Sequence, residues 1–207
     1  MDKIAICIPT STSVSAKLFS QWIDLSAWCA LREIPILTIS NRTHNDARNW
    51  LATAGGGFKN PKEIFTKIDA FIWIDSDQVF NPTQLEILIN SKEKFVTGWY
   101  MKGETPMVAR WNEKTFLQTG HMDFLKEEEL TNSKKDLIDI DYCGFGFTKT
   151  HKDVFSDLTY PYFTNKIVQI GRYTENVSED ASFCLDASIK PKVIPSLRVG
   201  HLKEMVI

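Results

Sequence analysis

The run Phe71-Ile72-Trp73-Ile74-Asp75-Ser76-Asp77 constrains the fold of this chain more than any other stretch: an uncharged apolar segment stops abruptly at two carboxylates separated by one small residue. A short apolar run bounded in this way reads as a buried strand that delivers oxygen ligands at its carboxyl end. Side chains on an extended backbone alternate sides, so Asp75 and Asp77 are expected on the same side, close enough to share a divalent cation. The competing reading is a solvated turn, because an isolated Asp-x-Asp often arises by chance.

The surrounding pattern alternates strand and helix. Residues 4–8 form an unbroken apolar run closed by Pro9, as in a strand buried on both faces, and Thr10 to Ser13 follow as the loop at its carboxyl end. From Ser15 to Leu31, the residues Leu18, Trp22, Leu25 and Cys29 recur at three- and four-residue spacing and predict an amphipathic helix. Pro35 precedes a second strand at residues 36–39. Residues 45–52 read as a helix ended by the Gly55-Gly56-Gly57 run. Asn81-Pro82 joins an N-cap residue to the proline favoured at the first helical position and opens a helix through Ile89.

Further strands are expected at residues 94–100, 106–111, 138–147 and 193–199, the third of them broken by Gly144 and Gly146. Short helices are expected near Asp153 and from Ser178. The charged residues 126–129 and 134–136 read as an exposed, mobile excursion. The alternation implies one α/β domain over residues 1–207, with a mostly parallel central sheet flanked by helices.

Composition excludes several classes of partner. A formal net charge of -2 with 24% charged residues offers neither a basic excess for nucleic acid nor an acidic tail. Cys7, Cys29, Cys143 and Cys184 are widely spaced within apolar segments and form no Cys-x-x-Cys pair, so reduced thiols and a cytoplasmic location are the expectation. The start of the chain lacks the features of a signal peptide, and no apolar run approaches the ~20 residues that span a bilayer.

Taken in order, these pieces resemble the nucleotide-sugar-dependent glycosyltransferases of GT-A fold, a Rossmann-like architecture, and in particular the inverting family-2 group. The resemblance rests on the first strand through Pro9, Ala47-Arg48-Asn49, Asp75-Ser76-Asp77, Gly98-Trp99-Tyr100-Met101-Lys102, Tyr142-Cys143-Gly144-Phe145-Gly146-Phe147, Ser178-Glu179-Asp180 and Gly200-His201. It implies that Asp77 binds Mn²⁺ or Mg²⁺ directly and that Asp75 contacts the nucleotide or the metal shell. His201 then matches a late histidine ligand, and imidazole beside carboxylates favours Mn²⁺ somewhat.

Asp180 matches the general base of inverting members, although Ser178-Glu179-Asp180 also fits a helix N-terminus. Pro9, Thr10, Arg48, Asn49, Asp75 and Ser76 are the implied nucleotide and donor contacts, Arg48 because a guanidinium binds phosphate oxygens. Trp99, Tyr100, Gly144, Phe145, Gly146 and Glu179 are the implied neighbours of the acceptor or the donor sugar. For the two glycines a simple bulge is the alternative, and for the aromatics a place in the core.

The implied partners are a nucleotide-diphosphate sugar, with UDP- or GDP-sugars favoured, and a hydroxyl acceptor recognised through residues 103–137 or by a second subunit. Relatives often carry an aspartate after the second strand where this chain has Ser40-Asn41-Arg42, so the nucleobase stays open. A retaining transferase of the same fold shares the Asp-x-Asp and late histidine, and a non-catalytic nucleotide-sugar or glycan binder shares the donor contacts. A phosphohydrolase of the haloacid-dehalogenase kind is disfavoured, because Asp77 is followed by Gln78-Val79-Phe80 rather than a threonine-bearing turn.

Overall fold

The computed structural model describes residues 2–10, 13–55 and 61–202. Seven strands form the central sheet: β1 (Ile4–Pro9), β2 (Ile36–Ile39), β3 (Ala70–Ile74), β4 (Phe95–Trp99), β5 (Ile138–Asp139), β6 (Phe147–His151) and β7 (Lys192–Arg198). Their spatial order is β5-β7-β4-β6-β3-β1-β2. Strands β2, β1 and β3 are mutually parallel, as are β4 and β7, whereas β6 runs antiparallel to both β3 and β4, and β5 antiparallel to β7. Five strands therefore point one way, as the alternating sequence pattern requires, and β6 and β5 are the reversed members.

The central strands are buried along their whole length and successive residues pack into opposite clusters, so the sheet has a core on each face. Ile4, Ile6 and Ile8 of β1 pack with Ile72 and Ile74 of β3 and with Leu25, Cys29, Leu85 and Leu88, which come from α1 (Phe19–Ala30) and α3 (Pro82–Asn90). Ala5 and Cys7 face the opposite side with Phe71 and Trp73, against Leu51 of α2 (His44–Leu51) and Phe183 of α6 (Glu179–Asp186). This second core is aromatic: the Phe163 and Phe183 rings stack at 4.6 Å, and Phe145 meets both edge-on. Burying one such side chain contributes about 1.5–3 kcal/mol before cavity effects.

The helix starts follow local chemistry. Asn81 caps α3 by accepting from the Gln84 amide at 3.0 Å, while the Gln84 side chain accepts the Asn81 amide at 2.9 Å, with Pro82 at the first helical position. Two expectations change. Residues 126–129 are not a loose excursion: α4 (Glu113–Thr119) is followed by α5 (Glu127–Thr131), which buries Leu130 and pairs Glu127 with Arg198 and Glu129 with Arg110. The stretch read as one broken strand over residues 138–147 divides among β5, the separate strand Tyr142–Cys143 and β6, and Gly144 and Gly146 lie where the backbone leaves that separate strand for β6. Of the expected Thr10 loop and triglycine run, Ser11, Thr12, Gly56 and Gly57 lie outside the described residues.

Sequence reading also missed the hairpin of strands Lys166–Ile170 and Tyr173–Val177. Its signal was present in alternating residues around Gly171, whose φ of 56° suits the first central position of a two-residue turn.

Candidate functional site

The carboxyl ends of the parallel strands gather the polar residues. Asp75 follows β3 directly, and its amide donates to the Gly146 carbonyl at 3.0 Å, just before β6. The chain then turns, with the Gln78 amide donating to the Asp75 carbonyl at 3.0 Å. The Asp-x-Asp is thus a turn rather than extended strand, and the expectation that alternation sends both carboxylates to one cation is corrected. The turn points Asp75 at Arg48 and Asp77 at His201.

Arg48 is the centre of the first group. It projects from the buried side of α2, is 3% exposed, and holds two acids at once. Its Nη2 donates to Asp75 Oδ1 and Oδ2 at 3.0 and 3.3 Å, and its Nη1 pairs with Glu179 Oε1. The guanidinium carbon lies 5.5 Å from the centre of the Phe145 ring, within cation–π range. Burial opposes the charge, but the fields of Asp75, Glu179 and Asp180 more than offset it and raise the Arg48 pKa above its ordinary value. A permanent cation is therefore held at the floor of the sheet edge.

Asp180 sits in the first turn of α6, beside Glu179. Its Oδ1 accepts from the Ala181 amide at 2.8 Å and from Ser178 Oγ, and its Oδ2 accepts from Tyr142 Oη at 3.1 Å. Burial first, then Asp180, raises the Tyr142 pKa, so the phenol stays protonated and donates. Tyr142 lies on the strand that pairs with residues Val108–Arg110; the sequence placed it in the motif Tyr142-Cys143-Gly144-Phe145-Gly146-Phe147 without giving it a role.

The second group is Asp77 and His201. The strand Gly200–His201 pairs antiparallel with Gln78–Val79, and His201 Nε2 stands 3.0 Å from Asp77 Oδ2. The Leu202 amide donates to the Asp77 carbonyl at 2.8 Å, which ties the late segment to the turn. At 3.0 Å the imidazole and the carboxylate are within direct hydrogen-bond distance of each other. Among the described residues no group of three or more His, Cys, Asp or Glu side chains converges for a metal.

Tyr100 links the groups. Its ring centroid is 5.4 Å from that of His201, and its buried phenol has a pKa raised by desolvation and by Asp75 and Asp180. Gly144 and Gly146 exist for this ring: a Cβ at Gly144 would stand 2.3 Å from Tyr100 Oη, and one at Gly146 would stand 2.7 Å from Gln78 Nε2 and 2.8 Å from the Tyr100 ring. The close approach expected at these glycines is an approach to the protein's own side chains.

Other expected contacts are occupied elsewhere. Asn49 clamps the backbone of Phe163, donating to its carbonyl at 2.7 Å and accepting its amide at 2.9 Å. Phe145 is fully buried in the aromatic core, and Trp99 is buried with its indole donating to the Pro195 carbonyl at 2.8 Å. Pro9 is buried within β1, and the Thr10 hydroxyl donates to the Ile39 carbonyl at 3.0 Å. Ser76 sits half-buried in the turn.

No protein-family model matches the chain, and no curated protein matches it. A solved structure does share its fold. The structure of A197 from STIV aligns with a TM-score of 0.57 at 18% identity, over 99% of this chain and 96% of that one. A glycosyltransferase involved in the glycosylation of the major capsid of PBCV-1 aligns with a TM-score of 0.38 at 14% identity, over 73% of this chain and 61% of that one. No helix among the described residues is long and apolar enough to cross a membrane.

Proposed function

We propose that this chain is a metal-dependent glycosyltransferase of GT-A type, which moves a sugar from a nucleotide-diphosphate donor to a hydroxyl acceptor with inversion. The observation that carries the reading is the convergence at one sheet edge of Arg48, Asp75, Glu179 and Asp180 with the Asp77–His201 pair, drawn from four separate segments. Ligand sites of open α/β sheets lie at that edge. The ordered sequence motifs support the same family independently of the geometry.

Asp77 and His201 would hold Mn²⁺ or Mg²⁺, which when bound offsets the charge that collects on the departing diphosphate. Asp75 and Glu179 hold the Arg48 cation in place, where it adds positive potential for the phosphates. Asp180, fixed by Tyr142, Ser178 and the Ala181 amide, accepts the acceptor's hydroxyl proton. The freed oxygen forms its bond to the anomeric carbon while the bond from that carbon to the phosphate oxygen breaks, and its electron pair leaves with the diphosphate. Attack and departure occur on opposite faces, so the anomeric configuration inverts.

The test is release of sugar from UDP-, GDP-, CDP- and dTDP-sugars with Mn²⁺, with the metal chelated, and with Asp77→Ala. Turnover of one donor that requires both metal and Asp77 is the expected result, with the inverted anomer in the product. Tight donor binding without turnover across varied acceptors would instead make the chain a nucleotide-sugar binder. The retained anomer would remove Asp180 from the role of base.

A further inference from the structure

Trp111 stands just past the strand Val108–Arg110, is 38% exposed, and is tied by its backbone to the residue beside Tyr142: its amide donates to Asp141 Oδ2 at 2.8 Å. A single exposed hydrophobic residue is ordinary on a protein surface. This one continues a row that leads to Asp180. Side chains alternate along a strand, so Met107, Ala109 and Trp111 share a side. Met107 and Ala109 pack there with Tyr142, Val177 and Ala181, the residue after Asp180. Ala109 is the cross-strand partner of Tyr142, whose phenol donates to Asp180, and Trp111 lies two residues beyond Ala109, about 7 Å along the chain.

The indole is held as well as exposed. Its ring centroid lies 5.3 Å from that of Phe116 on α4, and Phe116 meets Tyr173 of the hairpin edge-on at 6.0 Å. Tyr173 Oη donates to the Leu117 carbonyl at 3.3 Å, so α4 and the hairpin brace each other. Burial alternates along the strand Tyr173–Val177, which puts Tyr173, Glu175 and Val177 on its inward side. Among the described residues the Glu175 carboxylate has neither a hydrogen bond nor an ion pair, and Asp141 has the Trp111 amide but no cationic partner.

An aromatic face beside acceptor-only carboxylates suits a sugar. One side of a sugar ring is a patch of C–H bonds that lies flat on the negative face of an indole, and the hydroxyls at its rim donate to carboxylate oxygens. A seryl or threonyl side chain offers no such flat face. We propose that Trp111 is the platform on which a sugar acceptor stacks, with Asp141 and Glu175 accepting from its hydroxyls, so that the ring spans from the indole toward Asp180 and presents one hydroxyl to it. The acceptor is thereby a glycan rather than a protein hydroxyl. The platform's role in transfer rests on Asp180 acting as the base.

The experiment is NMR titration of the full chain, carrying ¹⁵N in its tryptophan indoles, with the methyl glycosides of glucose, galactose, mannose, xylose and N-acetylglucosamine, alone and with magnesium and UDP or GDP present. N-acetylserinamide and N-acetylthreoninamide serve as protein-type acceptors, and the Trp111 signal is identified by its loss in Trp111→Phe. At least one glycoside should shift that signal and bind about tenfold more weakly to Trp111→Ala. Asp141→Asn, which keeps an oxygen for the Trp111 amide, should weaken the same glycoside about threefold, and it decides the matter if Trp111→Ala does not fold. No shift of the Trp111 signal with any glycoside, equal glycoside affinity in wild type and variants, or a shift with the serine or threonine amide alone overturns the proposal. Glycoside binding at Trp111 without turnover of any nucleotide sugar removes the transfer reaction and leaves the platform. Turnover of a donor with no glycoside at Trp111 removes the platform and leaves the transferase.

Discussion

Arg48 Nη2 stands 3.0 Å from Asp75 Oδ1, joining a helix on one face of the sheet to the turn that leaves β3. Because Arg48 also holds Glu179, a single side chain 3% exposed fixes two of the three acids on that side of the site. Removing it leaves partly buried carboxylates unpaired and facing each other. Arg48→Met is expected to cost about 3 kcal/mol, a fall of roughly 6–12 °C in Tm for a chain of this size. Arg48→Lys should recover only part of it, because an ammonium does not present the forked pair of donors. Calorimetry of the three proteins checks both.

Tyr100 sets the limit on residues 144 and 146. Gly146→Ala must displace both the Gln78 amide and the Tyr100 ring, and is expected to destabilise by about 1–3 kcal/mol. At Gly144 the nearest obstacle is the Tyr100 hydroxyl, so Tyr100→Phe should recover part of the loss from Gly144→Ala and none of the loss from Gly146→Ala. Urea unfolding of the single and double variants measures the difference as a coupling energy.

Asp180 and Tyr142 separate chemistry from binding. Asp180→Asn is expected to lower kcat by about 10²–10⁴ while donor affinity holds. Tyr142→Phe removes only the 3.1 Å hydrogen bond that orients the carboxylate and should give a smaller loss of kcat with KM for the donor unchanged. Steady-state kinetics with a fixed acceptor would show a binding role instead if KM rose and kcat did not change.

Asp69 ties the start of the sheet to its middle. Its Oδ1 pairs with Lys152 Nζ at 2.6 Å and its Oδ2 accepts the Lys3 amide at 3.0 Å, and these bonds lower its pKa from the ordinary 3.8. A carboxylate depressed in the folded state contributes stability that is full above its unfolded pKa and is lost as pH falls through the folded value. Below about pH 4 the wild type should therefore lose stability that Asp69→Asn, already without the charge, does not lose. Parallel Tm measurements from pH 6 to pH 2 test the sign.

The four cysteines are buried and free, and burial pushes the Cys7 and Cys29 thiols above their ordinary pKa, Cys29 to about 11. Native protein should be inert to a thiol reagent at pH 8, with all four groups reacting once it is denatured.

The sequence by itself determined the elements whose signals are local. Apolar runs ending at Pro9 and Asp75 specified β1 and β3, the spacing of Leu18, Trp22, Leu25 and Cys29 specified α1 and its buried face, and Asn81-Pro82 specified the start of α3. It also named Arg48, Asp75, Asp77, Glu179, Asp180 and His201 as candidate site residues, and the fold brings their contacts to one edge of the sheet. Only the tertiary structure decided how these divide, with Asp75 going to Arg48 and Asp77 to His201, and which polar and aromatic residues serve packing, as Asn49, Phe145 and Trp99 do. The partner of Tyr142 was illegible for the same reason: its contact is with Asp180, 38 residues away, and no local periodicity encodes a partner at that distance.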